Sequence, residues 1–156
     1  LPDGSKIAPD RIKASVYHGS QEVPEVVFER GLSARGENLD LHAHSEGARD
    51  TAFRGGTPWI FSPGREQGAG HWAGEGGWVY EIKGVGTWDV NSALEGRVKM
   101  PDGRHRGNLM GAEGERAFLA GVPRERIVGA IPIIERNGKL MPGAMVPNPH
   151  YKNLEN

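Results

Sequence analysis

The chain has no cysteine among its 156 residues. This excludes disulfide bonds and zinc sites with thiolate ligands, including the zinc site of the nucleobase deaminases. There is also no apolar run long enough to cross a bilayer, and the N-terminus shows no secretory signal pattern. Glycine-rich loops with the spacing of the P-loop or the Rossmann fingerprint are missing, which disfavours those nucleotide-binding folds.

An excess of charge of one sign is absent too. The formal net charge is −1, which gives no overall attraction to nucleic acid or to acidic membranes. Glycine and proline are plentiful, with 24 and 11 residues, and they indicate many turns and short elements. With 37% hydrophobic and 25% charged residues, the composition is that of one globular domain. Because the chain begins with Leu1 rather than Met, we expect it to be part of a longer polypeptide.

The residue pattern predicts mostly short strands with two modest helices. One helix is predicted over residues 24–30, because Pro24 suits a first turn and Gly31 suits the stop, and another over residues 66–73. Strands are predicted over residues 14–17, 59–62, 78–82, 88–91, 113–118, 127–134 and 139–141, the last two joined by a hairpin turn at Asn137-Gly138. This set favours an α+β domain with antiparallel pairing over a βαβ fold.

Two long polar stretches, residues 36–56 and 95–111, are predicted to be loops. Structureless connections of this length are usually functional or mobile. The first contains His42 and His44, which can bind a metal from one face of a strand, but no third ligand follows at a metalloenzyme spacing and no metal is expected. The second contains a basic set that is ordinarily a solvated loop: Arg97, Lys99, Arg104 and Arg106.

A pair of acidic residues, Glu113 and Glu115, follows the second loop. If this segment is extended, both side chains face the same side, because side chains in a strand alternate. Two like charges that lie close raise the pKa of one group, which prepares one carboxylate as a base and leaves the other as an anion. Taken alone, a solvated pair at the start of a strand is the simpler interpretation.

The segment Val16-Tyr17-His18-Gly19-Ser20 resembles the first motif of the ADP-ribosyltransferases. In their histidine branch, which includes the poly(ADP-ribose) polymerases, diphtheria toxin and the RNA 2′-phosphotransferases, an aromatic-His-Gly triplet ends the first strand of the NAD site. Residues 28–32 resemble the helix end that follows. Residues 59–62 and 69–72 resemble the family's second strand and the helix that carries a stacking aromatic residue.

The segment Glu113-Gly114-Glu115, with residues 117–123 after it, resembles the catalytic strand of the cholera and pertussis toxin branch. The resemblance covers roughly residues 14–134 and depends on the order and spacing of the motifs. The chain departs from the toxin branch in two ways. That branch has Arg where His18 stands, and its Ser-Thr-Ser is reduced here to Ser62 followed by proline.

The resemblance implies an ADP-ribosyltransferase-like α+β domain made of two small, packed, mostly antiparallel sheets with short helices. Residues 14–141 are then the catalytic domain, with a lead-in over residues 1–13 and an irregular tail over residues 142–156. The implied substrate is NAD, with no metal and no membrane contact. The implied setting is a mono-ADP-ribosyltransferase toxin, delivered within a larger secreted protein to the target-cell cytoplasm and neutralised in its producer by an immunity protein.

The family also implies a role for each glutamate. Cleavage of the nicotinamide–ribose bond passes through an oxocarbenium-like state, as in glycoside hydrolysis. Glu115 is the predicted carboxylate that stabilises this cation and holds the ribose 2-hydroxyl. Glu113 is predicted to orient or deprotonate the acceptor.

The remaining predicted residues bind NAD. His18 is expected to donate to a ribose hydroxyl, with its tautomer fixed by a backbone partner. Gly19 is expected to hold the nicotinamide carboxamide through its backbone, and Trp72 to stack on the nicotinamide ring. Tyr17 and Ser62 complete this set. A surface histidine, a turn glycine and a core tryptophan are the plainer interpretations of the first three.

The acceptor and two other functions remain open at this level. The basic stretch favours structured RNA, whereas the Glu-x-Glu spelling resembles enzymes that modify protein arginine. A metal-independent ribonuclease toxin would instead use His18 or His105 with Glu115 as acid and base. A catalytically inactive domain of the same fold would only bind nucleotide or protein. Consumption of NAD distinguishes the first function from the other two.

Overall fold

The computed structural model describes residues 10–11, 15–34, 36–56, 69–84, 86–95, 98–99, 101–102, 104–107 and 116–153. The helices in these residues are short: α1 (Pro24–Arg30), α2 (Leu41–Ser45), α3 (Ala69–Ala73) and α4 (Val90–Leu94). The strands are β1 (Asp10–Arg11), β2 (Val16–Ser20), β3 (Leu32–Ser33), β4 (Phe53–Gly56), β5 (Trp78–Ile82), β6 (Gly86–Asp89), β7 (Val98–Lys99), β8 (His105–Arg106), β9 (Arg116–Leu119), β10 (Gly121–Val122), β11 (Ile127–Arg136), β12 (Lys139–Pro142) and β13 (Val146–Pro147). None of the helices in this part of the chain has the length and hydropathy needed to cross a membrane.

Two antiparallel sheets form the body of the domain. The first has the order β12-β11-β5-β2, with β13 also paired to β11, so that β2 lies at one edge. The second has the order β1-β6-β9-β4, with β4 at one edge. Two further antiparallel pairs in the described residues are β3 with β10 and β7 with β8. The predicted α+β fold with two small antiparallel sheets is confirmed.

Apolar clusters hold the layers together. The main cluster fills the space between the sheets, where Val16 and Tyr80 of the first sheet pack with Phe118 of the second. Helices α2 and α4 cover the opposite face of the second sheet, over Phe53 and Ala117. Helix α3 covers the opposite face of the first sheet. Each strand of the two sheets therefore directs alternate side chains into the intersheet space and away from it.

The helix predicted over residues 24–30 is confirmed. Proline stands in its first turn and Gly31 follows its end with φ 76°, a left-handed conformation that glycine adopts without a Cβ clash. The hairpin turn is also confirmed, since Asn137 and Gly138 have φ 53° and 75°, as a type I′ turn requires. The strand before it runs to Arg136, two residues longer than predicted.

The two predicted loops contain regular structure, and this part of the prediction is wrong. In the first, the Asp40 carboxylate accepts a hydrogen bond from the His42 amide (2.9 Å) and thereby starts α2. The same stretch ends in β4. In the second, β7 and β8 form a short hairpin, in which Lys99 lies opposite His105. The polar composition of the two stretches does not indicate these elements, because α2 depends on a side-chain cap and the strands depend on pairing with other strands.

The strand predicted over residues 88–91 is cut short by a helix. It ends at Asp89, whose carboxylate accepts from the Ser92 amide (3.3 Å) and caps α4. Of the helix predicted over residues 66–73, the described part is α3. The strand predicted over residues 59–62 lies outside the described residues.

The end of the chain is held more firmly than an irregular tail would be. β13 pairs with β11 at Gly129 and Ala130. The Asn148 side chain is buried and donates to the carbonyls of Arg124 and Ile127, at 2.8 Å each. The expectation of an irregular tail is therefore wrong for residues 146–148. The domain limits at residues 14 and 141 stay a prediction.

Candidate active site

The two sheets approach each other at their edges, where β2 of the first faces β4 of the second. His18 on β2 pairs with Tyr80, and Arg54 on β4 pairs with Phe118. Tyr80 and Phe118 both belong to the intersheet core, and paired residues of antiparallel strands lie on the same face. His18 and Arg54 therefore stand on the inner faces of the two sheets, next to each other.

Hydrogen bonds fix the tautomer of His18. Its Nδ1 lies 2.6 Å from the carbonyl oxygen of Gly55, and its Nε2 lies 2.9 Å from Nη1 of Arg54. A carbonyl only accepts and a guanidinium only donates, so Nδ1 carries the proton and Nε2 is the acceptor. The expected backbone partner is present, but the expected donation from His18 to a ribose hydroxyl does not fit this arrangement.

The surroundings of His18 keep the ring neutral. Burial between the sheets, followed by the positive charge of Arg54, lowers the pKa of His18 to about 4. Both effects act against the protonated form, because it would be poorly solvated and would face another cation. At neutral pH this histidine is consequently a fixed hydrogen-bonding group rather than an acid or a base.

Arg54 is the residue that the sequence pattern does not mark. Its guanidinium donates from Nε to the carbonyl of Ser33 at 2.8 Å, from Nη2 to the same carbonyl, and from Nη1 to His18. It stands 36 residues after His18 in a stretch predicted to be a loop. The one available signal is the Gly55-Gly56 pair directly after it, which is typical of a close approach between backbones.

That close approach is present. A Cβ on Gly56 would lie 3.2 Å from the Tyr17 carbonyl oxygen and 3.2 Å from the Phe118 ring. Larger residues on β4 would push it away from β2 and would separate the Gly55 carbonyl from His18. The two glycines thus allow the edge contact on which the His18–Arg54 pair depends.

Tyr17 and Gly19 lie on the opposite face of β2 from His18. A Cβ on Gly19 would lie 2.1 Å from the Ala69 carbonyl oxygen and 2.6 Å from the Ala73 amide nitrogen, so α3 packs directly on its backbone. Tyr17 packs partly against the apolar cluster under α3, and burial and then Glu81 raise its pKa. The three predicted NAD-binding residues on β2 are therefore divided between the two faces of that strand.

Trp72 belongs to the Gly19 side. It is carried by α3, and its side chain is 62% exposed, so it is not a core residue. Its backbone carbonyl carbon lies 3.1 Å from the position of a Cβ on Gly19. Trp78 and Trp88, by contrast, are partly buried against apolar clusters.

The two predicted catalytic glutamates, Glu113 and Glu115, lie outside the described residues, as does Ser62. Of the strand predicted over residues 113–118, the described part is β9, which continues to Leu119. Arg116 pairs with Gly56, two residues from Arg54, and its Nη2 lies 3.6 Å from Oδ2 of Asp89. The strand that begins at Arg116 therefore lies directly beside β4, which carries Arg54.

Three residues of the predicted basic set lie in the β7–β8 hairpin. Lys99 and Arg106 belong to its two strands, and Arg97 lies outside the described residues. Arg104, in the turn, is largely exposed and pairs with Asp102, with Nη2 2.6 Å from Oδ2. Hydrogen bonds from Arg104 lower the pKa of Asp102. One of the four charges is thus locally compensated.

His42 and His44 do not share the face of a strand, because both lie on α2. Residues two apart on a helix point in different directions. His42 is 3.0 Å from Glu46, and Nδ1 of His44 is 3.1 Å from the Thr51 hydroxyl. Among the described residues, no three of His, Cys, Asp or Glu come together as a metal site would need.

Comparison with known proteins relates this architecture to one group. No protein-family model matches the chain, and no curated protein matches it either. Among solved structures, a guanine-specific ADP-ribosyltransferase superposes with a TM-score of 0.69 at 20% identity, over 93% of this chain and 83% of its own. A variant of the scabin toxin from Streptomyces scabies superposes with 0.68 at 22% identity, over 94% and 84%. EcPltA superposes with 0.65 at 19% identity, over 90% and 89%.

Structures of the first two proteins are also known with ligands. One is scabin in complex with NADH, and the other is the guanine-specific enzyme with NADH and GDP. Identities near 20% relate folds rather than activities. The resemblance predicted from the motifs is confirmed at the level of architecture, and the chain has the fold of the mono-ADP-ribosyltransferase toxins.

Proposed function

We propose that this domain is a toxin ADP-ribosyltransferase, which transfers ADP-ribose from NAD to a macromolecular acceptor and releases nicotinamide. One observation carries the proposal. The chain has the fold of these toxins, and at its sheet edges the first-motif histidine is fixed by Gly55 and Arg54 next to the strand that follows the glutamate pair.

The proposed reaction breaks the C–N bond between ribose and nicotinamide. The bonding electrons leave with nicotinamide, which departs neutral, and positive charge develops on the ribose as an oxocarbenium ion. Glu115 stabilises this cation and holds the ribose 2-hydroxyl through a hydrogen bond that strengthens in the transition state. The acceptor then bonds to the anomeric carbon, and Glu113 takes the proton that the acceptor loses.

The described residues suit the binding part of this reaction. Trp72 is largely exposed on α3, the helix whose backbone packs on Gly19, and in this proposal its indole stacks on the nicotinamide ring. His18 contributes by holding Arg54 rather than by exchanging protons. For the same reason His18 does not suit the ribonuclease alternative, because its Nε2 accepts from Arg54 and its pKa is lowered to about 4. The form of that alternative that uses His105 stays a prediction.

The acceptor that we propose is a guanine base in nucleic acid. Support comes from the solved enzyme described as guanine-specific, whose complex contains GDP, and from the basic hairpin that precedes the glutamate pair. Protein arginine is the competing acceptor. Delivery within a larger secreted protein, action in the target-cell cytoplasm and a cognate immunity protein remain part of the same proposal.

The first test measures nicotinamide release from NAD. Wild-type protein should release it, and Glu115→Gln should lower the rate by roughly a hundredfold or more, because one electrostatic contact to a transition state commonly contributes that much. Glu135→Gln, an exposed change on β11, is the matched control and should have no effect. Intact NAD after long incubation of the wild type with a cell lysate would refute the proposal.

The second test separates the two glutamates. Glu113→Gln should reduce transfer to the acceptor more than NAD hydrolysis, because water needs less positioning than a large nucleophile. Both rates are measured on the same protein samples. Equal loss of the two activities in both variants would contradict this division of roles.

The third test identifies the acceptor class. A lysate is labelled with tagged NAD, and parallel samples are treated with nuclease or protease, while GDP and an arginine peptide are offered separately. Label that nuclease removes, with modification of GDP, supports guanine. Label that only protease removes would refute it and assign a protein acceptor.

A further inference from the structure

The inner face of the first sheet continues past the part that packs into the main apolar cluster. Ala130 and Tyr80 are paired residues of this face and belong to that cluster. Because side chains alternate along a strand and paired residues share a face, the pairing places four further side chains on the same side. We call them the open face: Trp78, Pro132, Ile134 and Met141.

The open face is apolar and accessible. Trp78, Pro132 and Ile134 are half-buried, and Met141 is 44% exposed. On the other side of β11, by contrast, Ile133 is buried in the cluster beneath α3. At this end the sheet is therefore covered on its outer side but not on its inner side. An exposed, contiguous apolar patch commonly marks an interaction surface.

Two cations lie at one margin of the open face. Arg136 and Lys139 pair directly across the β11–β12 hairpin, and the alternation places them on the same side as Ile134 and Met141. Both are exposed, and in the part of the chain that the structure describes neither forms an ion pair. Like charges directly opposite each other repel, so an acidic partner would stabilise this margin.

Two carboxylates lie at the opposite margin, at the N-terminus of α1. Glu22 and Glu25 are exposed there. The Tyr80 hydroxyl donates to the Glu22 carbonyl oxygen at 2.5 Å, which holds this end of α1 over the face that Tyr80 shares with Trp78. Burial, followed by the charges of Glu22 and Glu25, raises the pKa of Tyr80. In the order β12-β11-β5-β2, the acids thus lie on the β5 side and the cations on the β11–β12 side.

We propose that the open face is the interface of a homodimer, in which two copies of this domain meet across a two-fold axis. Such an interface uses the same patch on both subunits. Because one margin is acidic and the other basic, the rotation brings the acids of each copy opposite the cations of its partner. The apolar centres then cover each other. The inference is independent of the proposed catalytic function, since the open face contains none of the predicted site residues.

The distribution of charge favours a second copy over other occupants. A nucleic acid or an acidic membrane would be attracted by the two cations but repelled by the two carboxylates on the same side. Two cations also contribute only about 1 kcal/mol each at an anionic membrane surface. An unrelated protein would need both signs of charge in matching places, whereas a second copy has them by symmetry.

Sedimentation equilibrium of the whole chain, from about 1 μM to about 1 mM, measures the dimer. One variant reverses the basic margin through Arg136→Glu and Lys139→Glu, and another reverses the acidic margin through Glu22→Lys and Glu25→Lys. Each should raise the dimer dissociation constant about tenfold or more, because it places like charges opposite each other. An equimolar mixture of the two variants should associate again, since the mixed pair is complementary at both margins.

Met141→Gln tests the apolar centre and should also weaken the dimer about tenfold. Leu39→Gln is its matched control, because it removes a 66% exposed side chain that lies before α2, and it should have no effect. Arg49→Glu and Glu95→Lys are the matched charge reversals, at exposed positions that follow α2 and α4. Thermal unfolding of each variant checks that the domain is folded.

A wild type that stays monomeric up to about 1 mM overturns the inference. Flotation of that monomer with phosphatidylserine vesicles would then assign the open face to a membrane. A dimer that the control variants weaken as much as the margin variants, or margin variants that do not associate when mixed, would place the interface elsewhere and overturn the inference too. None of these results affects NAD turnover as evidence for the proposed function.

Discussion

At the scale of single residues, a buried neutral histidine makes the stability of the domain depend on pH. The pKa of His18 is about 4 in the folded protein, against about 6.5 in an unfolded chain. Between these values the unfolded chain binds more protons, so the free energy of unfolding falls as the pH falls from about 6.5 to 4 and is level above that range. At about 1.4 kcal/mol per pKa unit, the contribution is bounded at roughly 3.5 kcal/mol.

Urea unfolding at a series of pH values measures this dependence. His18→Asn keeps a donor for the Gly55 carbonyl but does not titrate, so the slope between pH 6.5 and 4 should become shallower. An unaltered slope in His18→Asn would contradict the assigned pKa.

The residue scale also shows where the sequence is informative. The aromatic-His-Gly order identifies β2 as part of a site, and a backbone partner for His18 can be expected because buried ring nitrogens need one. What the second nitrogen meets depends on Arg54, and no local pattern relates residues 36 positions apart. The sequence consequently identifies His18 but not the direction of its hydrogen bonds.

At the scale of elements, the contact between α3 and β2 depends on the absence of a side chain at Gly19. In Gly19→Ala the methyl group would meet backbone atoms of α3 at 2.1 and 2.6 Å, and the helix must move. We expect a destabilisation of about 1–3 kcal/mol, as for other overpacked sites. Because α3 carries Trp72, affinity for the nicotinamide ring should fall as well.

Chemical denaturation and nicotinamide binding measure these two effects. Gly107→Ala is a suitable control, since a Cβ there would meet the nearest described atom at 3.8 Å, an ordinary contact. If Gly19→Ala has the same stability and nicotinamide affinity as this control, the backbone of α3 does not pack directly on Gly19.

The β7–β8 hairpin is the element expected to contact a nucleic-acid acceptor. Neutralising its cations, Lys99 and Arg106 together with Arg97 and Arg104, should lower transfer to RNA and flatten its salt dependence, because each phosphate contact releases counterions. NAD hydrolysis should stay near the wild-type rate. Transfer measured from low to high salt gives the slope.

Removal of a negative charge from the β7–β8 hairpin tests the same element. Asp102→Asn removes the carboxylate that pairs with Arg104, so it should raise transfer to RNA and steepen the salt dependence. A protein acceptor would instead give mild salt dependence and no common direction among these variants.

Elements with local signals are the ones that the sequence predicts well. Pro24 and Gly31 mark the ends of α1, and Asn137-Gly138 marks the β11–β12 turn. β4 and the β7–β8 hairpin have no such signal, because their strands are short and polar and exist through pairing with distant partners. Interpretation of residues 36–56 as a loop failed for that reason.

At the scale of the whole molecule, the segment from Val146 to Asn148 stabilises the first sheet through its contacts with β11 and the residues before it. Asn148→Ala would remove the side-chain donor from the carbonyls of Arg124 and Ile127, of which the first also accepts from the Ile127 amide. The expected loss is about 1–3 kcal/mol in the free energy of unfolding. Glu135→Ala, on the exposed end of β11, should change it by less than about 0.5 kcal/mol. Equal stabilities of the two variants would mean that the segment is only loosely attached.

The predicted fold class agrees with the structure because many short antiparallel elements allow few arrangements. Sequence patterns do not predict the contact between β2 and β4 that brings His18 and Arg54 together. It depends on two glycines and two polar side chains that become neighbours only when both sheets are complete.

The order of strands in the first sheet has a consequence for how this chain folds. β2 pairs with β5, and this pairing joins residues as far apart in sequence as Val16 and Ile82. Ile82 also lies opposite Ile127 of β11. The chain loses conformational entropy when it closes such long loops, before the stabilising contacts between the strands form. We therefore expect folding in the millisecond-to-second range typical of non-local topologies. During synthesis the sheet that contains His18 can form only after the ribosome has added β5 and β11, which is most of the chain.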